Sequence, residues 1–191
     1  MVDLLAVDWS KIPAPLDDGA AKHLAGQVLP SIVLTATDGR QVDLSKITGT
    51  AVVYAYPMTG RPDVALPEGW DMIPGARGCT PQSCAFRDHF AELKALGAQE
   101  VFGLSTQSTA YQREAAERLH LPFALLSDEK LRLAEALRLP TFETAGMRLL
   151  KRLTMILRAG QIVQVFYPVF PPDRCAGDVI DWLRVNPAPA R

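Results

Sequence analysis

Apolar positions along the chain change their period several times, and each change marks an element. Residues 31–37 (SIVLTAT) and 40–44 (RQVDL) flank Asp38-Gly39, which predicts two short strands joined by a hairpin turn. Residues 52–56 (VVYAY) form an unbroken apolar run rich in β-branched and aromatic side chains, the pattern of a strand buried on both faces. Beyond it the period lengthens. Thr80 followed by Pro81 predicts a helix start, the apolar positions Phe86, Phe90, Leu93 and Leu96 give it a buried stripe, and Gly97 stops it. A strand over 101–105, a helix opened by a capping box from Thr109 to Gln112 and stopped by Pro122, and a strand over 123–126 follow. Ser127, with Asp128 and Glu129 in the first turn, predicts another helix ending at Pro140. Residues 153–157 and 161–166 predict a hairpin about Ala159-Gly160, and Asp173 is placed to cap a closing helix through Val179, Ile180 and Leu183.

Strands alternating with helices imply an α/β fold, and the early and late hairpins make its central sheet mixed, with helices flanking it. By element order this is a thioredoxin-like fold carrying an N-terminal hairpin extension. The expected organisation is an N-terminal extension over 1–25, one domain over 26–185 that contains a loop at 59–76, and a tail over 186–191. Open sheets of this kind place chemistry beyond the carboxyl ends of their strands, and the segment after Tyr56 leads to Cys79.

Composition narrows the function. A chain of 191 residues, 48% hydrophobic, is long enough to bury its own core without disulfides or a metal. Lys plus Arg number 20 against 21 Asp plus Glu, so a net charge of −1 leaves no basic footprint for nucleic acid or an acidic membrane surface. The N-terminal residues lack the basic start of a signal peptide, and no run reaches the roughly 18 apolar residues of a membrane span. A cytoplasmic location is therefore expected, where a cysteine pair is redox-active or metal-binding more often than structural.

Cys79 opens a predicted helix beside Arg77 and Thr80, where helix amides and positive charge favour a thiolate nucleophile. Cys84 lies five positions on. If both are helical their α-carbons are about 8.7 Å apart, beyond the ~7 Å limit of a relaxed disulfide, so a bond between them requires the first turn to unwind. A metal site is not expected, because the only nearby additional ligands are His89, further along the helix, and the remote Cys175.

The segment GCTPQSCAFRD at 78–88 closely resembles the active-site helix of the peroxiredoxins, in the subgroup called peroxiredoxin Q or bacterioferritin comigratory protein. The resemblance extends over roughly residues 26–185, through GQVLP at 26–30, TDG at 37–39, VVYAYP at 52–57, FGLST at 102–106, LLSD at 125–128 and the late hairpin. It implies a thiol-dependent peroxidase acting on hydrogen peroxide or small organic hydroperoxides without metal, haem or flavin. Cys79 would be the peroxidatic residue, Cys84 would resolve its sulfenic acid as an intramolecular disulfide, and a thioredoxin-like reductant would restore both thiols. Arg152 occupies the place of the family's late-strand arginine. Pro57, Thr59, Arg77 and Thr80 are the supporting residues, and a monomer or weak homodimer is expected.

The pattern departs from the family in one place. Pro57 stands 22 positions before Cys79 rather than seven, and Ala76 occupies the site three before Cys79 where a hydroxyl normally helps to bind peroxide. Thr59 and Thr80 are the candidate substitutes. The inserted segment at 59–76, with Trp70 and Met72, is expected as an ordered loop and a candidate lid. Cys175 is read as a spare thiol, with replacement of Cys84 as the resolving partner as the alternative if the inserted loop remodels the site. A redox-sensing module with slow peroxide turnover is the alternative function; a general disulfide reductase is disfavoured because no Cys-x-x-Cys spacing is present.

Overall fold

The computed structural model describes residues 7–188. The segment around Asp38-Gly39 folds as the expected hairpin of β1 (Val33–Ala36) and β2 (Gln41–Asp43), with Gly39 at a φ of 90°. The unbroken apolar run becomes β3 (Thr50–Ala55), every residue of which is buried. There follow α1 (Cys79–Asp88), α2 (Phe90–Ala95), β4 (Ala98–Ser105), α3 (Thr109–Arg118), β5 (Leu125–Ser127) and α4 (Arg132–Leu137). Two hairpins, β6 (Thr141–Thr144) with β7 (Met147–Leu150) and β8 (Leu153–Arg158) with β9 (Gln161–Phe166), lead into α5 (Cys175–Val185).

Seven strands form one mixed sheet in the order β2-β1-β5-β4-β3-β8-β9. Helical crossovers make β3, β4 and β5 parallel, and hairpin connections bring in the antiparallel edges. This is the thioredoxin-like architecture. Side chains alternate across the central strand, so Ala51, Val53 and Ala55 enter one core and Val52 and Tyr54 the other. The first core is closed by α4 and by Ala21 and Leu24; the second is closed by Phe86 of α1, Leu93 of α2, Ala115 of α3 and Ile180 of α5.

Differences from the predicted elements have local causes. The helix expected from Thr80 to Gly97 begins at Cys79, is capped by Gly78, and breaks at His89 into α1 and α2. Ser108 rather than Thr109 caps α3, its hydroxyl accepting the Tyr111 amide. Ser127 ends β5 instead of capping a helix; the Asp128 carboxylate reaches forward to accept the amides of Leu133 and Ala134 at 3.1 and 2.8 Å, so α4 starts only at Arg132. Asp173 does not cap α5, because its carboxylate accepts the Trp9 indole N–H at 3.0 Å. The hairpin β6–β7 was not expected. Its Ala145-Gly146 turn has both φ values positive, 48° and 72°, like the Ala159-Gly160 turn at 47° and 73°.

The proposed extension over 1–25 is not detached where it is described. Residues 1–6 lie outside the described residues, but Ala21 and Leu24 are core residues, and the segment that follows them pairs with the free edge of β9. Of the predicted tail, residues 189–191 lie outside the described residues; the Asn186 amide still bonds the Trp182 carbonyl at 2.9 Å.

Candidate active site

Gly78 fixes how α1 starts. Its φ of 105° is left-handed, and a Cβ there would lie 2.7 Å from Pro172 Cγ and from the Trp9 ring. The next residue, Cys79, therefore sits in the first turn with only 3% of its surface exposed. α1 is held on β3 by Tyr54, which donates to Ser83 Oγ at 3.0 Å and stacks on Phe86 at a centroid distance of 4.4 Å.

Arg152, in the two-residue link between β7 and β8, reaches the same turn. Its Nη2 lies 3.2 Å from Cys79 Sγ and donates to the carbonyls of Gly75, Ala76 and Arg77 at 3.3, 3.2 and 3.2 Å. Its Nη1 donates to Gln82 Oε1. The guanidinium is thus fixed on both sides, with its charge held against the sulfur. Of its nitrogens only Nε is buried without a partner among the described residues.

Of the four supporting residues expected from the sequence, Arg77 and Thr80 line the pocket over Cys79, whereas Pro57 and Thr59 do not, although the intervening Met58 and the following Gly60 do. The Pro57 carbonyl accepts Ser105 Oγ at 2.9 Å and so ties the exit of β3 to β4. Thr59 is fully buried; its carbonyl accepts the Tyr111 hydroxyl at 2.8 Å, while its own hydroxyl has no partner among the described residues. Thr80 and Arg77 line a pocket over Cys79, but the Arg77 guanidinium is engaged by Asp71 at 2.7 Å and so anchors the loop. That pocket is only about 20 Å³, room for about one water, because Met58, Leu66 and Trp70 close it.

The inserted loop packs around its indole. Trp70 is buried with Met58, Ala76 and Leu149, and Arg118 Nη2 bonds the Gly60 carbonyl at 2.9 Å. Met72 is 67% exposed and does not line the pocket, so of the two residues named as candidates in the loop it is Trp70 that narrows it.

All three cysteines are free thiols. Cys84 is buried on the intact helix, and burial pushes its pKa up. Cys175 opens α5, bonds Thr154 Oγ1 at 3.0 Å, and is pushed up to about 11 by burial. Gln82, which sequence reasoning passed over, is completely buried between Arg152 and the region of Cys175. Its position three residues after Cys79, hence on the same helix face, was the available signal. Among the described residues no group of three or more His, Cys, Asp or Glu is assembled to hold a metal, and no helix is long and apolar enough to cross a membrane.

Residues 24–180 match the Redoxin family. The chain is 35% identical over 161 residues to rice "Peroxiredoxin Q, chloroplastic", covering 83% of this chain and 66% of that relative. It is 34% identical over 166 residues to the protein of the same name from Sedum lineare, covering 86% and 80%. The chain belongs to the peroxiredoxin family. Its affinity is with the peroxiredoxin Q and bacterioferritin comigratory protein group, and it spans just under two thirds of the length of the rice relative. The crystal structure of peroxidoxin BcpB from Mycobacterium tuberculosis shares the fold, with a TM-score of 0.69 at 24% identity over 85% of this chain and 98% of that one. Within this peroxiredoxin the chemistry-bearing cysteine expected from the motif is the one that the fold brings against a buried arginine.

Proposed function

We propose that the chain is a thiol-dependent peroxidase acting on hydrogen peroxide and small organic hydroperoxides through Cys79. The observation that carries this reading is the 3.2 Å contact between Arg152 Nη2 and Cys79 Sγ in the first turn of a helix. In the first step the Cys79 thiolate attacks the distal peroxide oxygen, the O–O bond breaks, and the departing oxygen takes a proton to leave as water or an alcohol. Cys79 is left as sulfenic acid. The Cys84 thiol then displaces that hydroxyl as water, forming a Cys79–Cys84 disulfide once the first turn of α1 opens. A thioredoxin-type dithiol reduces the disulfide by exchange and is itself oxidised. The protein works as a monomer or weak homodimer in the cytoplasm.

A slow redox sensor is the second reading, favoured by the closed pocket of about 20 Å³ and the methyl of Ala76 in place of a hydroxyl. A thioredoxin-coupled assay separates the two. Sustained NADPH consumption with hydrogen peroxide, lost in Cys79→Ser and in Cys84→Ser, supports the peroxidase; a single stoichiometric oxidation without turnover supports the sensor.

A further inference from the structure

The N-terminal segment crosses the start of α1 as a strap tied down at two points. Asp8 caps a short helical turn, Trp9–Lys11, by accepting the Ser10 amide at 3.2 Å, and this turn carries the half-buried Trp9 indole against residues 170–173. Trp9 Nε1 donates to Asp173 at 3.0 Å, and its ring meets Phe170 edge to face at a centroid distance of 5.8 Å. At the second tie Lys151 pairs with Asp18 at 2.7 Å and the Tyr167 hydroxyl donates to the same carboxylate at 2.8 Å. Between the ties Pro15 packs on Gly75, where a Cβ would stand 3.5 Å from it. Trp9 itself packs on Gly78: a Cβ there would lie 2.7 Å from the indole and 2.7 Å from Pro172.

Gly78 is where α1 has to open. Its carbonyl accepts the Gln82 amide at 3.0 Å, the bond that closes the first turn. Cys79 and Cys84 both lie in α1, five positions apart, and regular helix separates such α-carbons by about 8.7 Å against the ~7 Å that a disulfide spans. The first turn, and with it this bond, must open before the two sulfurs join. Trp9 bears on that step and not on the attack, since it packs on the residue before Cys79 and does not line the pocket over the sulfur. We propose that Trp9 is a positioning residue for resolution, holding the first turn of α1 closed and so setting how long the Cys79 sulfenic acid waits for Cys84. Two reactions compete during that wait. The Cys84 thiol displaces the hydroxyl as water to give the disulfide, or a second peroxide gives its distal oxygen to the sulfur, leaving sulfinic acid and releasing water or an alcohol. The inference rests on the peroxidase reading and adds to it a control on over-oxidation made by residues that precede the family resemblance.

The reduced full chain is mixed with hydrogen peroxide over a range of concentrations, and intact mass separates the disulfide, lighter by a pair of hydrogens, from the sulfinic acid, heavier by a pair of oxygens. Trp9→Ala, Trp9→Phe and Ile47→Ala are run beside it. Ile47 packs in the core on the other face of the sheet from α1, so its variant controls for loss of stability alone. The peroxide concentration that gives equal amounts of the two products is expected to rise about tenfold in Trp9→Ala, to stay within about twofold in Trp9→Phe, whose ring still covers Gly78, and to stay unchanged in Ile47→Ala. The rate of the first oxidation is the same in all four. A concentration that does not rise in Trp9→Ala, or that rises equally in Ile47→Ala, overturns the proposal. Failure of the peroxidase reading is distinguishable, because the unaltered chain then forms no disulfide at any peroxide concentration. In that case the hold of Trp9 on the first turn is judged by amide hydrogen exchange of the reduced protein. Exchange of the Gln82 amide about tenfold faster in Trp9→Ala, with Val53 of β3 unchanged, sustains it, and unchanged exchange at Gln82 overturns it.

Discussion

Two helices of this protein begin with a buried cysteine, and only one of those cysteines meets a charged side chain. Cys79 opens α1 at 3% exposure and Cys175 opens α5 at 1%, and neither helix has a side-chain cap. Helix amides and dipole are therefore common to both. The difference lies in what meets the sulfur. Cys79 faces the Arg152 guanidinium and a pocket; Cys175 faces the neutral Thr154 hydroxyl in the closed core, and burial pushes its thiol up to about 11. A helix start alone does not make a nucleophile; a fixed charge and an approach route do. Even the residues before the two cysteines differ, since Gly78 takes a φ of 105° that swings the chain under Trp9, whereas Arg174 is ordinary right-handed backbone at −85°.

The largest effect on this contrast comes from removing the charge. Arg152→Ala lowers the rate of Cys79 oxidation roughly a hundredfold to a thousandfold, and Arg152→Lys recovers only part of it because one ammonium cannot hold Gln82, the loop carbonyls and the sulfur together. Stopped-flow traces with hydrogen peroxide measure both. Next, Gly78→Ala strains the start of α1 and drives a methyl into Pro172 and Trp9, costing about 1–3 kcal/mol in chemical denaturation. The matching change at the other helix, Arg174→Ala, leaves stability nearly unaltered. Thr59→Val then removes the buried, unpartnered hydroxyl nearest in role to the one missing at Ala76; it slows peroxide oxidation about tenfold while leaving the melting temperature unchanged.

The smallest effect at neutral pH is at Cys175. The fold holds this thiol protonated, with its pKa raised from an ordinary 9.0 to about 11. The stability it contributes is accordingly complete below about pH 9 and is lost as pH rises toward 11. Denaturation curves across that interval show a downward slope that Cys175→Ala makes shallower, the buried Cys84 thiol contributing in the same direction.

Much of the reactive half of this comparison was legible in the sequence. The cysteine spacing and the helix that carries it could be read from local pattern, while Arg152 came from the family resemblance, and it lies in the link before β8 rather than on the strand. β3 could be read as well, because its apolar run needs no tertiary context. What escaped reading depends on partners far along the chain. Asp173 looks like a cap for α5 until Trp9, 164 positions away, takes its carboxylate. Ser127 looks like a cap until β1 and β4 claim it as strand, leaving Asp128 to satisfy α4 from outside the helix. The β6–β7 hairpin carries the same Ala-Gly turn as β8–β9, but its half-buried strands lack the apolar run that marked the second hairpin. The isolation of Cys175 has no local signature, because it arises from packing between segments.

The central claim is that Arg152 and the approach route, rather than helix position, select Cys79 for reaction. It is tested most directly by stopped-flow oxidation of the reduced protein with hydrogen peroxide followed by intact mass and peptide mapping, with Cys79→Ser, Cys84→Ser and Cys175→Ser in parallel. The account predicts that the unaltered chain and Cys175→Ser oxidise at the same rate and lose a pair of hydrogens, that Cys84→Ser stops with one added oxygen on Cys79, and that Cys79→Ser does not react. Oxidation that persists in Cys79→Ser, or that maps to Cys175, contradicts it.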